Sequence, residues 1–460
     1  MPNHSYNRDS PIIQQYQAAT VIGLGVTGYS AVRYLRDCGL QVSVMDSRDN
    51  PPMLEKLQQE YPEVLLYCGA FNFKNLASSS LLVVSPGVAL SEPVLQKAAR
   101  EGAHIVGDIE LFLQQNSKSV IAITGSNGKS TVTALVGEMC AAAGVKTLVA
   151  GNIGLPVLDA LTDRIDYELA VLELSSFQLE TTHSIHAAAA TVLNISADHM
   201  DRYHSMGDYM LAKARILRGA KRAILPRHDE ELEQITTLAK KLTFGLDEPA
   251  NDDEFGVKRQ SNYRWLLKGE QRLIKLREIS LLGTHNVKNI LAAYALVDFL
   301  DLPVDSLNSA VKAFKGLPHR MQTVLVKDQV TWVNDSKATN VGATSTALQS
   351  LEKNVVWIAG GQGKGADFKQ LRDAIGKNIK MLVLIGQDSG LIETALSGVL
   401  PIQRVADMQQ AVQLAGKSAS SDSVVLLSPA CASFDQYRNY AARGDDFIRY
   451  AKAWPGRVAA

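Results

Sequence analysis

A glycine-rich turn followed by a lysine and two hydroxyl residues is the strongest chemical signal in the sequence. Residues 121–131 read Ile-Ala-Ile-Thr-Gly-Ser-Asn-Gly-Lys-Ser-Thr. Glycines allow backbone N–H groups to approach phosphate oxygens, and the start of a helix adds a favourable dipole. Lys129 can neutralise phosphate charge, while a hydroxyl group of Ser130 or Thr131 can bind Mg²⁺. The segment predicts an ATP phosphate loop. Because Ile123 stands where the general pattern has a glycine, a simple glycine turn is the alternative.

Acidic and imidazole side chains follow two further apolar runs of the same segment. Glu173 ends one buried-strand candidate, and Asp198, His199 and Asp201 follow the next one. Side chains at the carboxyl ends of neighbouring parallel strands come together at one edge of a sheet. A single residue of this kind is more often structural, but several together favour function. Since oxygen ligands suit Mg²⁺, the set predicts a metal site beside the phosphate loop.

A second glycine motif lies near the N-terminus. The sequence Gly23-Leu-Gly-Val-Thr-Gly28 follows a strand candidate and opens a helix, and Asp46 ends the next strand candidate. Taken alone, this pattern favours a nicotinamide-dependent dehydrogenase, whose ribose-binding acid occupies that position. A uridine diphosphate group also contains a diphosphate and a ribose, so the same residues can bind it. Because a dehydrogenase does not need the Lys129 loop, we predict UDP binding. Glycines that merely allow close helix–strand packing are a further interpretation.

These motifs require three segments in which strands and helices alternate, a pattern typical of parallel α/β sheets. We predict a Rossmann-like UDP-binding domain over residues 1–108, a central P-loop ATPase-like domain over 109–316 and a Rossmann-like domain over 317–460. The predicted strands are 18–22, 41–45, 81–84, 120–123, 169–172, 191–193, 355–359, 381–385 and 424–427. The predicted helices are 28–38, 129–143, 286–299 and 307–314. The polar stretch 247–269 predicts an exposed excursion with a short hairpin around 263–267.

The composition is that of an ordinary globular protein, with 46% apolar and 20% charged residues in a chain of 460. Lys plus Arg and Asp plus Glu each number 47, which argues against nucleic acid or an anionic membrane as the main partner. Four dispersed cysteines favour reduced thiols over a disulfide framework or zinc site. With a polar N-terminus and no apolar run of membrane-spanning length, we expect a cytoplasmic protein, without membrane insertion and monomeric.

In combination, the motifs closely resemble those of the Mur ligase family, which builds the peptide stem of peptidoglycan. The resemblance runs from Val21 to about Phe447 and is greatest to the member that adds D-glutamate. The matching motifs are GSNGKST (125–131), GNIG (151–154), LELSSFQLE (172–180), LNISADHMDRY (193–203), GTHNVKN (283–289), LPHR (317–320), NDSKATN (334–340), GGQGKGADF (360–368) and SPACASFDQY (428–437). Relatives usually carry Asp where this chain has Gln362, a change that bears on the orientation of Lys364.

The resemblance implies a role for each matching residue. The residues that contact the UDP substrate are Val26, Thr27, Asp46, Arg48, Ser85, Gly87, Asn152 and His199. The ATP contacts are Gly125, Asn127, Gly128, Lys129, Ser130, Thr131, Asn286, Asn289, Arg320 and Asp335. The D-glutamate site comprises Lys337, Thr339, Lys364, Ser433, Phe434 and Tyr440. The metal ligands are Ser130, Glu173, His199 and a carbamylated Lys213, and the catalytic set is Lys129, Glu173, His199 and Lys213.

The implied reaction joins D-glutamate to UDP-N-acetylmuramoyl-L-alanine, with ATP and two Mg²⁺ ions. The substrate carboxylate takes the γ-phosphoryl group of ATP, and the amine of D-glutamate then displaces phosphate from the acyl phosphate. Three alternatives stay open: a family member that adds another amino acid, a nicotinamide-dependent oxidoreductase, and a module that uses ATP only as a switch. Members that add diaminopimelate carry Asp-Asn-Pro-Arg in the third domain, where this chain has NDSKATN.

Overall fold

The computed structural model describes residues 12–72, 80–196, 202–281 and 283–456, and these form three sheets in chain order. The first sheet has five parallel strands in the order β3-β2-β1-β4-β5. Its strands are β1 (Ala18–Ile22), β2 (Gln41–Met45), β3 (Leu65–Tyr67), β4 (Leu81–Val84) and β5 (His104–Val106). Its helices are α1 (Val26–Asp37), α2 (Leu54–Glu60) and α3 (Pro93–Arg100). The strands predicted over 18–22, 41–45 and 81–84 are confirmed.

The strand order creates a ligand crevice at the carboxyl ends of β1 and β4. β1 pairs with β2 on one side and with β4 on the other. The direction in which successive strands are added to the sheet therefore reverses at β1. Ligands of open α/β sheets bind at such a reversal. Gly23 follows β1 and Ser85 follows β4, and the Ser85 hydroxyl donates to the Gly23 carbonyl over 2.7 Å. A Cβ at Gly28 would lie 1.9 Å from the same carbonyl oxygen, so helix α1 can begin this close only with glycine there.

The second sheet has nine strands in the order β14-β13-β12-β11-β10-β9-β6-β8-β7. Its strands are β6 (Ser119–Thr124), β7 (Thr147–Gly151), β8 (Leu169–Glu173), β9 (Ala189–Val192), β10 (Arg222–Pro226), β11 (Lys240–Phe244), β12 (Glu254–Gln260), β13 (Tyr263–Lys268) and β14 (Gln271–Lys275). Its helices are α4 (Asp108–Gln115), α5 (Lys129–Ala142), α6 (Val157–Thr162), α7 (Ser176–Glu180), α8 (Met206–Ala214), α9 (Glu230–Glu233), α10 (Thr284–Val297) and α11 (Val304–Ala313). Since β6 is parallel to β8 and β9 on its two sides, the turn after β6 meets the ends of both neighbours.

The prediction of an exposed excursion over residues 247–269 is wrong. This segment supplies β12 and β13, which extend the second sheet as an antiparallel pair. Phe255, Val257 and Leu266 are buried in the core of the central domain. Polar residues dominate the turns and the exposed strand face, and they hid the alternating apolar positions that face the core. The hairpin expected around residues 263–267 does exist, with β13 as one of its strands.

The third sheet has six strands in the order β15-β16-β20-β17-β18-β19, of which β15 alone is antiparallel to its neighbour. Its strands are β15 (Gln322–Lys327), β16 (Val330–Asn334), β17 (Val355–Gly360), β18 (Ile379–Ile385), β19 (Ile402–Arg404) and β20 (Ser423–Leu427). Its helices are α12 (Val341–Gln349), α13 (Ser389–Leu396), α14 (Met408–Ser418) and α15 (Tyr440–Ala453). In the described part of the chain, no helix combines the length and apolar character needed to cross a membrane.

The hydrophobic core ties the first two domains together and leaves the third separate. One cluster of buried side chains runs from Val21 and Leu35 of the first domain to Ile109, Leu158 and Leu172 of the second. The third domain has its own clusters of buried residues. Domains that share an apolar core move little relative to each other, whereas separate cores permit movement. The third domain is therefore the one that the packing allows to open and close.

Candidate active site

The phosphate-loop segment forms a glycine turn between β6 and α5. Gly125 and Gly128 have φ values of 152° and 83°, a region that favours glycine. A Cβ at Gly128 would also lie 2.6 Å from the Oδ1 atom of Asn289, so a larger residue would displace that side chain. Helix α5 begins at Lys129, and its first N–H groups face the turn. The turn has the backbone form that binds phosphate.

Lys129 and Arg320 bring positive charge to this turn from two different domains. Lys129 Nζ donates to the carbonyl oxygens of Gly125 over 2.8 Å and of Ser126 over 2.9 Å. Arg320, from the third domain, donates through Nη2 to the hydroxyl of Ser130 over 3.0 Å. The arginine thereby reaches the predicted Mg²⁺-binding hydroxyl across the domain boundary. Positive charge at a glycine turn and a helix start fits the triphosphate of ATP.

Glu173 ends β8 beside the phosphate loop and has an oxygen available for a cation. Its side chain is buried, and Oε1 accepts a 2.9 Å hydrogen bond from the Asn152 side chain. Among the described residues, its Oε2 atom has no hydrogen-bond partner and is also buried. A buried, unpaired carboxylate oxygen is costly unless a cation or donor meets it, so the position fits a Mg²⁺ ligand.

Lys213 reaches the same turn from helix α8. The side chain is 2% exposed, and Nζ donates to the Gly125 carbonyl over 2.9 Å and lies 3.5 Å from the Thr124 hydroxyl. The ring centroid of Tyr209 lies 4.7 Å from Nζ. The structure thus brings Lys213 to the phosphate loop, whereas the predicted ligand His199 lies outside the described residues. Asp198 and Asp201 lie outside them too.

A cavity of about 690 Å³ opens at the crevice of the first sheet and continues onto the central domain. Its lining contains seven of the predicted UDP-substrate residues: Val26, Thr27, Asp46, Arg48, Ser85, Gly87 and Asn152. Asn152 lies at the central-domain end and is the residue that donates to Glu173. The cavity therefore leads from the glycine motif of the first domain towards the phosphate loop.

Asp46 is the buried anchor of this cavity. Burial tends to raise its pKa, but hydrogen bonds from the Arg48 side chain and backbone and from the Leu24 N–H lower the pKa below its ordinary value. The Leu24 N–H lies 2.7 Å from Oδ2, and Arg48 Nη2 lies 2.6 Å from the same oxygen. The Arg48 side chain is 51% exposed and offers its remaining N–H groups to the cavity. An ionised acid and an orientated guanidinium suit a ribose and a diphosphate.

A smaller cavity of about 90 Å³ lies between the central and third domains. It is lined by the predicted ATP residues Asn127, Gly128, Thr131, Asn286, Asn289, Arg320 and Asp335, together with Lys337. Asp335 Oδ1 accepts from the Met321 N–H over 3.1 Å, and Oδ2 accepts from the Ser428 hydroxyl over 2.9 Å. Burial raises the pKa of Asp335 to about 7. The nucleotide residues predicted on two separate domains thus form one pocket.

His285 also lines this pocket, although the sequence motifs predicted no role for it. Burial lowers the pKa of His285 to about 4, so the imidazole is neutral near pH 7. In the described ranges, its buried Nδ1 atom has no hydrogen-bond partner. Depending on the tautomer, a ring nitrogen of a neutral imidazole can donate a hydrogen bond to a nucleotide base or accept one from it. The available signal was its place in GTHNVKN, directly before Asn286 at the start of α10.

Five of the six predicted D-glutamate residues lie on the loops after β16, β17 and β20, Tyr440 begins helix α15, and the set includes two cation–aromatic pairs. Lys337 Nζ is 3.9 Å from the ring centroid of Tyr440. Lys364 Nζ is 5.1 Å from the ring centroid of Phe434. Ser433 is buried next to Phe434, and the Thr339 N–H donates to the Lys337 carbonyl over 2.8 Å. Lys364 has a φ of 51°, a strained value for a residue with a side chain, and such strain is common at binding sites.

Arg443 holds these three loops together and was not predicted. Its buried guanidinium donates to the Ser336 hydroxyl over 3.0 Å and to the Ser336 carbonyl over 2.9 Å. It also donates to the carbonyls of Gly360, Cys431 and Ala432 over 3.4, 3.1 and 3.3 Å. One side chain thereby fixes the spacing of the loops that carry Lys337, Lys364 and Ser433.

The base of the Lys364 loop is held by a carboxylate from another strand. Asp388, after β18, accepts a 2.7 Å hydrogen bond from the Gly363 N–H, and its own N–H donates to the Gly361 carbonyl. Gln362 pairs through both backbone groups with Ala432 over 2.9 Å. Although Gln362 stands where relatives carry Asp, a carboxylate therefore still contacts this loop.

Three consecutive family models match the chain, and the chain belongs to the Mur ligase family. The MurD-like N-terminal domain matches residues 17–107, the Mur ligase middle domain 123–297 and the glutamate ligase domain 319–431. A UDP-N-acetylmuramoylalanine–D-glutamate ligase of Methylobacillus flagellatus is 49% identical over 93% of this chain and 95% of its own. The ligase of the same name from Pseudomonas aeruginosa is 46% identical over 93% of this chain and 96% of its own.

Solved structures of the family have the same fold at low sequence identity. The UDP-N-acetylmuramate-alanine ligase MurC of Thermotoga maritima has a TM-score of 0.59 and 18% identity, covering 95% of this chain and 100% of that one. The MurF ligase of Thermotoga maritima in complex with ADP has a TM-score of 0.58 and 15% identity, covering 96% of each chain. The predicted three-domain α/β fold is confirmed.

Proposed function

We propose that this chain uses ATP to join D-glutamate to UDP-N-acetylmuramoyl-L-alanine, a step of peptidoglycan synthesis. The observation that carries the proposal is the continuous path from the first cavity to the phosphate loop. Asn152 lines that cavity and donates to Glu173, whose strand is next to the strand of the phosphate loop. A substrate held by its UDP group in the cavity can thus present its far end to ATP.

The residues at the phosphate loop supply what the first chemical step requires. A carboxylate must attack the γ-phosphoryl group, so two anions must approach each other. Lys129 and Arg320 bring positive charge to that point, and domain closure by the third domain would exclude water from the acyl phosphate. Mg²⁺, when bound, supplies further positive charge to the phosphate oxygens. The proposed ligands are Ser130, Glu173, His199 and Lys213, for two ions.

Lys213 can serve as a ligand only after a chemical change. A lysine ammonium has three donors and no acceptor, so it repels a cation. We propose that its neutral amine nitrogen bonds to the carbon of CO₂ and loses a proton, which gives an anionic carbamate with two oxygens. The burial of Lys213 beside the phosphate loop supports this assignment, because a buried lysine is rare and this one reaches the turn beside which the metal would bind.

The proposal also covers organisation and location. The domain divisions at 108/109 and 316/317 are supported by the three sheets, which end and begin on either side of them. The proposal also includes an active monomer. We also propose that the enzyme is cytoplasmic, because the proposed reaction depends on ATP.

A phosphate-release assay tests the function. Phosphate release should require UDP-N-acetylmuramoyl-L-alanine and D-glutamate together, since the acyl phosphate is consumed only by the amine. Release with L-alanine or diaminopimelate in place of D-glutamate would identify another member of the family. Release without any amino acid would favour the switch interpretation.

The first domain should bind the UDP substrate and not a nicotinamide cofactor. Replacing Asp46 with alanine removes the acceptor that holds the Leu24 N–H and Arg48, so substrate affinity should fall about tenfold or more. Calorimetry with UDP-N-acetylmuramoyl-L-alanine and with NADH measures both affinities. Micromolar binding of NADH that disappears in Asp46→Ala would revive the dehydrogenase alternative.

The third domain should select D-glutamate through Lys364 and Lys337, whose charges can neutralise its two carboxylates. Replacing Lys364 with alanine should raise the KM for D-glutamate about tenfold or more and change the KM for ATP less than about twofold. Lys369→Ala, an exposed lysine of the same segment, is the matched control and should leave both values unchanged. Equal turnover of D-glutamate and L-glutamate by the unmodified enzyme would disprove the specificity.

A further inference from the structure

Arg202 connects the first and second domains at the wall of the large cavity. Its Nη1 donates to the Pro86 carbonyl and its Nη2 to the Val88 carbonyl, each over 3.0 Å. Both carbonyls belong to the loop after β4, which we call the substrate loop (residues 85–88). Pro86 and Val88 line the cavity together with Ser85 and Gly87. A central-domain guanidinium therefore holds a first-domain loop that lines the cavity.

Side chains of α7 contact Arg202 on the central-domain side. Arg202 Nη2 lies 3.4 Å from Oε2 of Glu180, and the guanidinium carbon lies 3.9 Å from the ring centroid of Phe177. The Arg202 and Glu180 side chains are 15% and 18% exposed, so water competes little for these contacts. Glu180 and Phe177 both belong to α7, and Gln178 of the same helix lines the cavity. Arg202 thus fixes the distance between the substrate loop and α7, both of which contribute residues to the cavity lining.

The same cluster of side chains continues to the phosphate loop. The Tyr203 hydroxyl donates to Oε1 of Glu180 over 2.6 Å, and its ring centroid is 5.2 Å from that of Tyr209. The Tyr209 hydroxyl lies 3.2 Å from the Ser126 hydroxyl in the phosphate loop. Tyr209 is also on helix α8, which carries Lys213. The substrate loop and the phosphate loop are therefore joined by an uninterrupted series of packed side chains.

We infer that Arg202 is a positioning residue for the UDP substrate. It holds the substrate loop in the conformation that binds the UDP-linked sugar. It also keeps that loop at a fixed position relative to the phosphate loop. The inference rests on the proposed function, because it concerns the same substrate. A lysine does not replace the arginine, since its single nitrogen cannot occupy the positions of both Nη1 and Nη2 of the planar guanidinium. The residue contacts the backbone of the loop, so it acts on the substrate through Ser85 and Gly87.

The test compares Arg202→Ala and Arg202→Lys with a matched control at the same domain boundary. Arg33 also crosses from the first to the second domain, with Asp159 and Asp163 each at 2.7 Å, but it lies on α1 and does not line the cavity. Both Arg202 variants should raise the KM for UDP-N-acetylmuramoyl-L-alanine about tenfold or more, which corresponds to about 1.4 kcal/mol. The KM for D-glutamate should change less than about twofold. Arg33→Ala should change neither KM.

Calorimetry with UDP-N-acetylmuramoyl-L-alanine, in the absence of ATP, gives a second reading and should show the same loss of affinity. Should Arg202→Ala fail to fold, Arg202→Lys and calorimetry still decide the question. Wild-type affinity in either folded Arg202 variant, or an equal loss in Arg33→Ala, would overturn the inference. If the unmodified enzyme does not turn over the UDP substrate at all, the proposed function fails instead, so the two failures are distinguishable.

Discussion

Replacing Lys129 with alanine is expected to lower kcat by at least about a hundredfold while leaving the protein folded. The reason lies in the first chemical step, in which the negative charge of the transferring phosphoryl group must be compensated. Removing a single preorganised group that stabilises such charge costs about 10²–10³ in rate. Lys129 Nζ is held at the turn by two carbonyl oxygens, so its position is fixed before ATP arrives. Phosphate release at saturating substrates measures the loss.

Lys146→Ala serves as the control for Lys129→Ala. Lys146 is an exposed lysine of the same domain, paired with Asp166, and its replacement should leave kcat unchanged. Thermal unfolding should give similar Tm values for both variants and the unmodified protein. If Lys129→Ala keeps more than about a tenth of the original kcat, the assignment of this turn to ATP phosphates is wrong.

Replacing Lys213 with alanine is expected to remove activity about a hundredfold or more, and a small carboxylate should restore part of it. The carbamate proposed at this position supplies anionic oxygens to the metal site, and the alanine variant lacks them. The side chain is buried and lies against the Gly125 carbonyl, so its removal leaves a space beside the phosphate loop. Acetate is small enough to bring a carboxylate into such a space.

The Lys213 experiment measures kcat with and without acetate, and mass spectrometry of the intact protein under CO₂ tests for the carbamate itself. Lys312→Ala, an exposed helical lysine, should retain full activity and should not respond to acetate. A fully active Lys213→Ala protein contradicts the proposal. So does an inactive, folded variant that no small carboxylate restores.

The sequence predicted the parts of the site that depend on local pattern. The phosphate loop, the glycine turn after β1 and the strand that ends at Glu173 are short apolar runs bounded by turn residues, and such runs have few other interpretations. The central strand predicted over 191–193 instead begins at Ala189 and ends at Val192, because alanines that are buried in the sheet gave a weak apolar signal.

The missed strands show where local pattern is insufficient. β11 reads Lys-Lys-Leu-Thr-Phe, in which polar residues interrupt the apolar ones, and β15 reads Gln-Thr-Val-Leu-Val-Lys, a short apolar run between polar residues. In β11 only Leu242 and Phe244 are buried, and their alternation becomes informative once the neighbouring β10 and β12 are known. Pairing between strands, which the sequence does not state directly, decided these assignments.

The functional residues that the sequence did not predict were missed for one common reason. Arg202, Arg443 and Asp388 each contact loops that follow strands distant in sequence, and the order of those strands in the sheet determines the contact. A lone arginine or aspartate gives no sign in the sequence of which backbone groups it will meet. Family motifs marked the residues around the substrates, while the side chains that hold those loops became visible only in the fold.

Oxygen transfer from substrate to phosphate tests the central claim most directly. UDP-N-acetylmuramoyl-L-alanine labelled with ¹⁸O in its free carboxylate is incubated with ATP, D-glutamate and the enzyme, and the released phosphate is analysed by mass spectrometry. If the carboxylate attacks the γ-phosphoryl group and the amine then displaces phosphate, one labelled oxygen must leave with each phosphate. We predict one ¹⁸O per phosphate, dependent on D-glutamate. Unlabelled phosphate formed alongside the amide product would contradict the acyl-phosphate ligase account.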